Sequence, residues 1–126
     1  MTTGKDEYIL VVEDDEALRE GLADALLLEG YRVESAENGQ TALRILKAGL
    51  RPCLILLDLM MPVMDGWTFR KELTKDPALA DIPVVVMTAA SAAAARGVAT
   101  HTTLWKPLQM ETVVNVIQQH CPSPIA

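Results

Sequence analysis

Aromatic residues make up only 4% of this 126-residue chain, so any core must be built from Leu, Val, Ile, Ala and Met. Basic charge is also scarce. Eleven Lys and Arg stand against 17 Asp and Glu, giving a formal net charge of −6. That sign argues against nucleic acid as a direct partner, because phosphate neutralisation needs a basic surface. Long apolar runs are missing. No stretch is long enough to cross a bilayer, and the N-terminus carries no signal-peptide pattern, so a cytoplasmic protein without membrane contact is expected. Only two cysteines occur, Cys53 and Cys121. They are too few and too far apart to suggest a disulfide framework or a zinc site. Cys53 adjoins an aliphatic run and reads as an inert core thiol. No Gly-rich phosphate loop follows the first such run, which weighs against a nucleotide-binding module.

What is present is apolar order. Half of the residues are hydrophobic, and the length suits one domain over 1–126 that buries a core without staples. Its core spans about 8–120, with flexible tails at 1–7 and 121–126. Aliphatic runs alternate with helical patterns, the mark of βαβ units. Strands are expected at Tyr8–Val12, Tyr31–Ser35, Cys53–Leu57, Ile82–Met87 and Thr103–Trp105. Helices are expected at Glu16 to about Glu29, Thr41–Lys47, Trp67–Lys75, Ser91–Val98 and Gln109–His120. Gly30 stops the first helix, and Asn38-Gly39 and Met61–Gly66 are turns or loops. Right-handed crossovers then give an α/β, doubly wound fold, with five parallel strands between helices on both faces.

In that topology the polar residues at the strand ends share one rim. Glu13 and Asp14 follow the first strand, Asp58 the third, Thr88 the fourth and Lys106 the fifth. Open α/β sheets place their chemistry at this rim. Three clustered carboxylates repel and call for a positive partner. Mg²⁺ is suited to oxygen ligands and keeps positions open for a phosphoryl oxygen. Lys106 and Thr88 could stabilise a phosphoryl group in transit, with Asp58 as the attacking oxygen. Each residue also has a plain reading: one of Glu13, Asp14 and Asp15 as a helix N-cap, Thr88 as a cap, Lys106 as a solvated lysine. Their conjunction on four strand ends favours the chemical one.

Four segments resemble the receiver domain of two-component response regulators, a CheY-like family. They are Leu10–Asp14, Leu57–Gly66 with its Asp58-Leu59-Met60-Met61-Pro62 core, Val86–Ala89, and Lys106-Pro107. The resemblance covers roughly Tyr8 to His120. It implies a flavodoxin-like (βα)5 sandwich with strand order 2-1-3-4-5. It implies Asp58 as phosphoacceptor and Mg²⁺ as cofactor. Asp14 and Asp58 would be direct ligands, Glu13 would act through water, and the Met60 carbonyl would complete the set. Thr88 and Lys106 would contact the phosphoryl group, and the Lys106-Pro107 bond would be cis. The donor would be a phosphohistidine on a sensor histidine kinase or phosphotransfer protein, and the output contact with a downstream protein target. The domain would be a signalling phosphoacceptor rather than an enzyme, assisting only its own phosphorylation and dephosphorylation. It would be a monomer or weak dimer, either a stand-alone regulator, a relay, or a receiver excised from a longer kinase.

Two departures stand out. The aromatic that receivers often carry three residues before the lysine is Thr103 here. Trp105, on the same strand face, either replaces it as an exposed aromatic or packs against the fourth or fifth helix, and packing is the favoured reading. The expected helix at Ser91–Val98 is about a turn short and alanine-rich. Mobility is therefore expected there, and the usual dimer interface on the last two helices is put in doubt. Trp67 and Phe69 are expected to pack against neighbouring helices, and neither His101 nor His120 receives a role. Two alternatives compete. A degenerate receiver, acting as a phosphorylation-independent binding module, sits poorly with the intact set of five residues. A haloacid-dehalogenase-type phosphatase needs a second acid two residues after the nucleophile, where this chain has Met60.

Overall fold

The computed structural model describes residues 8–49, 51–61, 63–88 and 102–121. Its elements are β1 (Tyr8–Val12), α1 (Glu16–Leu28), β2 (Arg32–Ala36), α2 (Gly39–Lys47), β3 (Leu54–Asp58), α3 (Gly66–Lys75), β4 (Val84–Thr88), β5 (Thr102–Trp105) and α4 (Met110–His120). The strands form one parallel sheet in the order β2-β1-β3-β4-β5, as expected. The helix expected over Ser91–Val98, with its mobility and its share of a dimer interface, lies outside the described residues.

Every residue of β1, β3 and β4 is buried, and alternation sends neighbouring side chains to opposite faces. Leu10, Val12, Ile55, Leu57 and Val86 meet Ala42, Leu43, Leu46, Phe69 and Leu73 from α2 and α3. Ile9, Val11, Leu54, Leu56, Val85 and Met87 meet Leu22 and Leu26 of α1 and Val113, Val116 and Ile117 of α4. A sheet covered on both faces is why these strands read as unbroken aliphatic runs. Phe69 is fully buried and Trp67 packs against the first of these cores, as expected.

Local chemistry sets the ends of the elements. Asp15, Asn38 and Asp65 cap α1, α2 and α3 by accepting from the N–H groups of Leu18, Thr41 and Thr68. Gly30 takes φ +97° after α1. That left-handed turn lets the Gly30 N–H reach the Leu27 carbonyl and the Tyr31 N–H the Leu26 carbonyl, closing the helix as glycine does best.

Two expectations are overturned at the amino-end pole of the sheet. Cys53, read as an inert core thiol, is disulfide-bonded to Cys121, with Cα atoms 5.7 Å apart. Cys121, expected at the start of a flexible tail, caps α4 and is fully buried. The physical reason is topological. The residue before β3 and the residue after α4 both lie at the pole opposite the acidic rim, so sequence distance is no guide to their separation.

Candidate phosphoacceptor site

Four of the expected site residues meet at the carboxyl-end rim. Glu13 continues β1 for one more bond, its N–H donating to the Ala36 carbonyl, and its side chain is buried. Asp58 closes β3 and is 2% exposed. Asp14 is exposed, yet one oxygen from each of Glu13, Asp14 and Asp58 lies within 4.8 Å of the others. Lys106 follows β5 and reaches across, its Nζ 2.9 Å from Glu13 Oε1 and 3.5 Å from Asp58 Oδ1. The Lys106-Pro107 bond is cis, as expected. Thr88 is fully buried at the end of β4, and its carbonyl accepts from the Lys106 N–H. The Met60 side chain is exposed, while its N–H donates to Asp58 Oδ1 at 3.1 Å.

The electrostatics follow from this crowding. Burial pushes the Asp58 carboxyl up to about 7, and the hydrogen bond and charge of Glu13 add to the rise. The Met60 N–H and Lys106 oppose it. For Lys106, burial works against the charged form, but the hydrogen bond to Glu13 and the charges of Asp58 and Glu13 outweigh it and raise its pKa. Three carboxylates face one ammonium, so the cluster carries an excess of negative charge. Its donors are hard oxygens. Glu13, Asp14 and Asp58 fit a divalent cation of the magnesium type in both charge and chemistry.

Several supporting residues gave no functional signal in the sequence. Arg19 Nη1 donates to the Glu13 carbonyl at 2.9 Å and the Asp14 carbonyl at 3.5 Å, bracing the acidic turn from α1. The Asp15 N–H donates to Glu13 Oε2 at 3.1 Å, so both Glu13 oxygens are engaged. Lys106 therefore lies nearer Glu13 than Asp58. Gly66 packs on the end of β3, its N–H donating to the Leu59 carbonyl at 2.9 Å. A Cβ there would lie 2.7 Å from Leu59 Cα and 2.9 Å from the Asp58 carbonyl oxygen. Val63 in the same loop holds φ +69°, a strained conformation for a β-branched residue.

Trp105 packs only in part among the described residues, and its packing on the helix expected over Ser91–Val98 lies outside them. Trp105 is 48% exposed on the edge strand. It lines a cleft of about 220 Å³ with Pro107, Leu108 and Thr112 at the start of α4. Leu104 between it and Thr103 is buried, which is the alternation that puts Thr103 and Trp105 on one face.

The model of the response regulator receiver domain family matches residues 9–118. The chain belongs to that family. Among solved structures it is similar to the receiver domain of a signal transduction histidine kinase from Syntrophus aciditrophicus. That match has TM-score 0.82 and 30% identity, covering 94% of this chain and 92% of that one. It is likewise similar to the receiver domain of the sensor histidine kinase PA1611 from Pseudomonas aeruginosa, with TM-score 0.84 and 25% identity. Here 90% of this chain and 96% of that chain are covered, and that structure holds a magnesium ion in its active-site cleft. A curated relative, the DNA-binding dual master transcriptional regulator RpaA of Synechocystis, is 41% identical over 81 residues. These are 64% of this chain and 33% of RpaA. This chain spans about a third of the length of the curated relatives it matches first. Among the described residues no helix is long and apolar enough to cross a membrane.

Proposed function

We propose that this receiver domain accepts a phosphoryl group on Asp58 from a phosphohistidine of a sensor histidine kinase or phosphotransfer protein. The observation that carries the reading is the convergence of Glu13, Asp14, Asp58 and Lys106 on one rim. A carboxylate oxygen of Asp58 forms the new P–O bond as the P–N bond breaks, and the donor imidazole keeps that electron pair. The Met60 N–H and Lys106 orient the Asp58 carboxylate. Lys106 also brings positive charge to the phosphoryl oxygens, and the Thr88 hydroxyl offers them a donor. Mg²⁺ held by Asp14, Asp58, the Met60 carbonyl and, through water, Glu13 would supply the remaining positive charge. Asp58 closes β3, and the N–H groups of Glu13 and Leu59 carry the ladder one step further onto the Ala36 and Met87 carbonyls, so the acceptor is positioned before its donor arrives.

In this reading the domain is a signalling element that assists only its own phosphorylation and dephosphorylation. Its contacts are with proteins, as a monomer or weak dimer in the cytoplasm, with no membrane contact. No nucleic-acid contact is proposed for the domain itself. Intact-mass measurement after incubation with acetyl phosphate and Mg²⁺ tests the central step, with beryllofluoride binding as a check against a short-lived adduct. The wild type should gain one phosphoryl group and Asp58→Asn none. A wild type that neither gains the adduct nor binds beryllofluoride would refute the reading.

A further inference from the structure

Cys53 and Cys121 are 68 positions apart in the chain, yet a disulfide joins them. The bond ties the residue that enters β3 to the cap of α4. Each end is held independently of it. The Cys53 N–H donates to the Tyr8 carbonyl at 2.9 Å, and the Cys121 N–H donates to the Ile117 carbonyl at 2.7 Å. The Cys121 carbonyl accepts from the Tyr31 hydroxyl at 3.5 Å. Helix α4 is packed on the sheet through Val113, Val116 and Ile117, and a core of this size folds without staples. Cys53 Sγ also lies 3.4 Å from the Tyr8 carbonyl oxygen, so a reduced thiol there would have an acceptor. Both the bonded and the open pair are therefore compatible with the same fold.

We propose that Cys53 and Cys121 are a reversible thiol–disulfide site. Oxidised, the pair clasps the C-terminal turn of α4 to the sheet; reduced by a dithiol, it releases that turn. Disulfides are scarce where thiols are kept reduced, so in such a setting the state of the pair follows the redox poise. The two sulfurs are not equivalent. Cys121 is fully buried, while Cys53 is partly exposed, so attack comes at Cys53. A thiolate of the dithiol bonds to Cys53 Sγ, and the electron pair of the broken S–S bond goes to Cys121 Sγ, which takes a proton. The second thiolate of the dithiol then displaces Cys53, which takes the other proton. Two electrons and two protons reach the protein, and the dithiol ends as its own disulfide. Apolar surroundings disfavour the Cys121 thiolate as leaving group, so the exchange is slow. Nothing in this depends on the role of Asp58.

The test uses the full chain equilibrated in mixtures of dithiothreitol and its cyclic disulfide of rising oxidised fraction, with free thiols trapped by a polyethylene-glycol maleimide. The wild type should pass from two labels to none across the series. In the reduced form, amides 117–121 should exchange hydrogen about tenfold faster or more, with β1 and β3 amides unchanged. Its Tm should fall by on the order of 10 °C. Cys53→Ser and Cys121→Ser, each with a single thiol to label, should match the reduced wild type in hydrogen exchange and Tm in every buffer. Two labels in the most oxidising buffer, none in the most reducing one, or equal exchange at 117–121 in both forms would overturn the proposal. Beryllofluoride binding in the same samples is scored separately, and its failure would bear on the phosphoacceptor reading alone.

Discussion

The two ends of β3 do opposite things to the fold. At its entry, Cys53 is bonded to the cap of α4 and its N–H is satisfied by Tyr8. At its exit, Asp58 is buried beside Glu13, and burial and repulsion work against its charge. Roughly 16 Å of strand separates them at ~3.3 Å per residue. The entry end adds stability to a fold that forms without it, whereas the exit end gives up stability to keep a carboxylate where a phosphoryl group can reach it. If that contrast is right, changes at the entry should move stability and leave beryllofluoride binding alone. Changes at the exit should move binding, and some should stabilise.

The largest expected effect is at the entry. Cys121→Ser under oxidising conditions should cost about 2–4 kcal/mol in denaturant unfolding, because a long loop is no longer closed in the unfolded chain. Its affinity for beryllofluoride should match the wild type. A matching loss of affinity would break the contrast, by showing that the two ends of β3 are coupled. Combined with Asp58→Asn, the stability effects should add to within about 0.5 kcal/mol, as expected for sites this far apart.

Next in size is Gly66→Ala, at the exit. Its Cβ would meet backbone atoms of Leu59 and Asp58 at 2.7 and 2.9 Å, and backbone cannot rotate away as a side chain can. We expect a loss of about 1–3 kcal/mol, together with slower phosphorylation by acetyl phosphate, since the displaced atoms carry Asp58. A variant with wild-type stability and wild-type phosphorylation would show that the close approach is relieved elsewhere.

The legibility of the sequence follows the same division. The exit end could be read because its residues are fixed by local order. Aliphatic runs covered on both faces mark the strands, and a polar residue ending each run marks the rim. Boundaries moved by a residue or two for identifiable reasons. The second strand begins at Arg32 instead of Tyr31 because the Tyr31 N–H is used by the Gly30 turn. The fourth begins at Val84 instead of Ile82 because the Ile82 N–H closes a turn onto Leu79 and Pro83 has none to give. The disulfide was missed because periodicity reports neighbours along the chain and not across the pole. A signal was present. One cysteine precedes a central strand and the other follows the last helix, and in a parallel sheet with right-handed crossovers those two positions share a pole. Gly66 supports the site through its backbone and Arg19 through bonds to backbone carbonyls, which no side-chain pattern records.

Of intermediate size is the pH dependence of Asp58. In the folded protein its pKa is raised to about 7 from the ordinary 3.8. Between those values the folded state binds more protons than the unfolded one, so this group's contribution to stability falls as pH rises. In Mg²⁺-free buffer Asp58→Asn should be more stable than wild type by about 1–3 kcal/mol near pH 8. That advantage should shrink toward pH 4, where the folded carboxyl is protonated and the unfolded one, with its ordinary pKa of 3.8, is beginning to be. Urea midpoints of the two proteins across pH 4–8 measure it. A constant difference would mean that Lys106 and the Met60 N–H already compensate Asp58, and the exit end would not be a destabilised one.

The smallest effect lies in the loop after Asp58. Val63 sits at φ +69° and is 75% exposed, so its side chain contributes little packing to offset a left-handed backbone. Asn adopts that conformation more readily than any β-branched residue. Val63→Asn should therefore gain about 0.5–1 kcal/mol, with the Asp58 hydrogen bond to the Met60 N–H undisturbed. Beryllofluoride affinity decides what the strain is for. If the more stable variant binds as tightly as wild type, the strained loop is incidental to the site. If it binds more weakly, the strain helps hold Asp58 in place, and the exit end of β3 gives up stability for position in its backbone as well as in its charges.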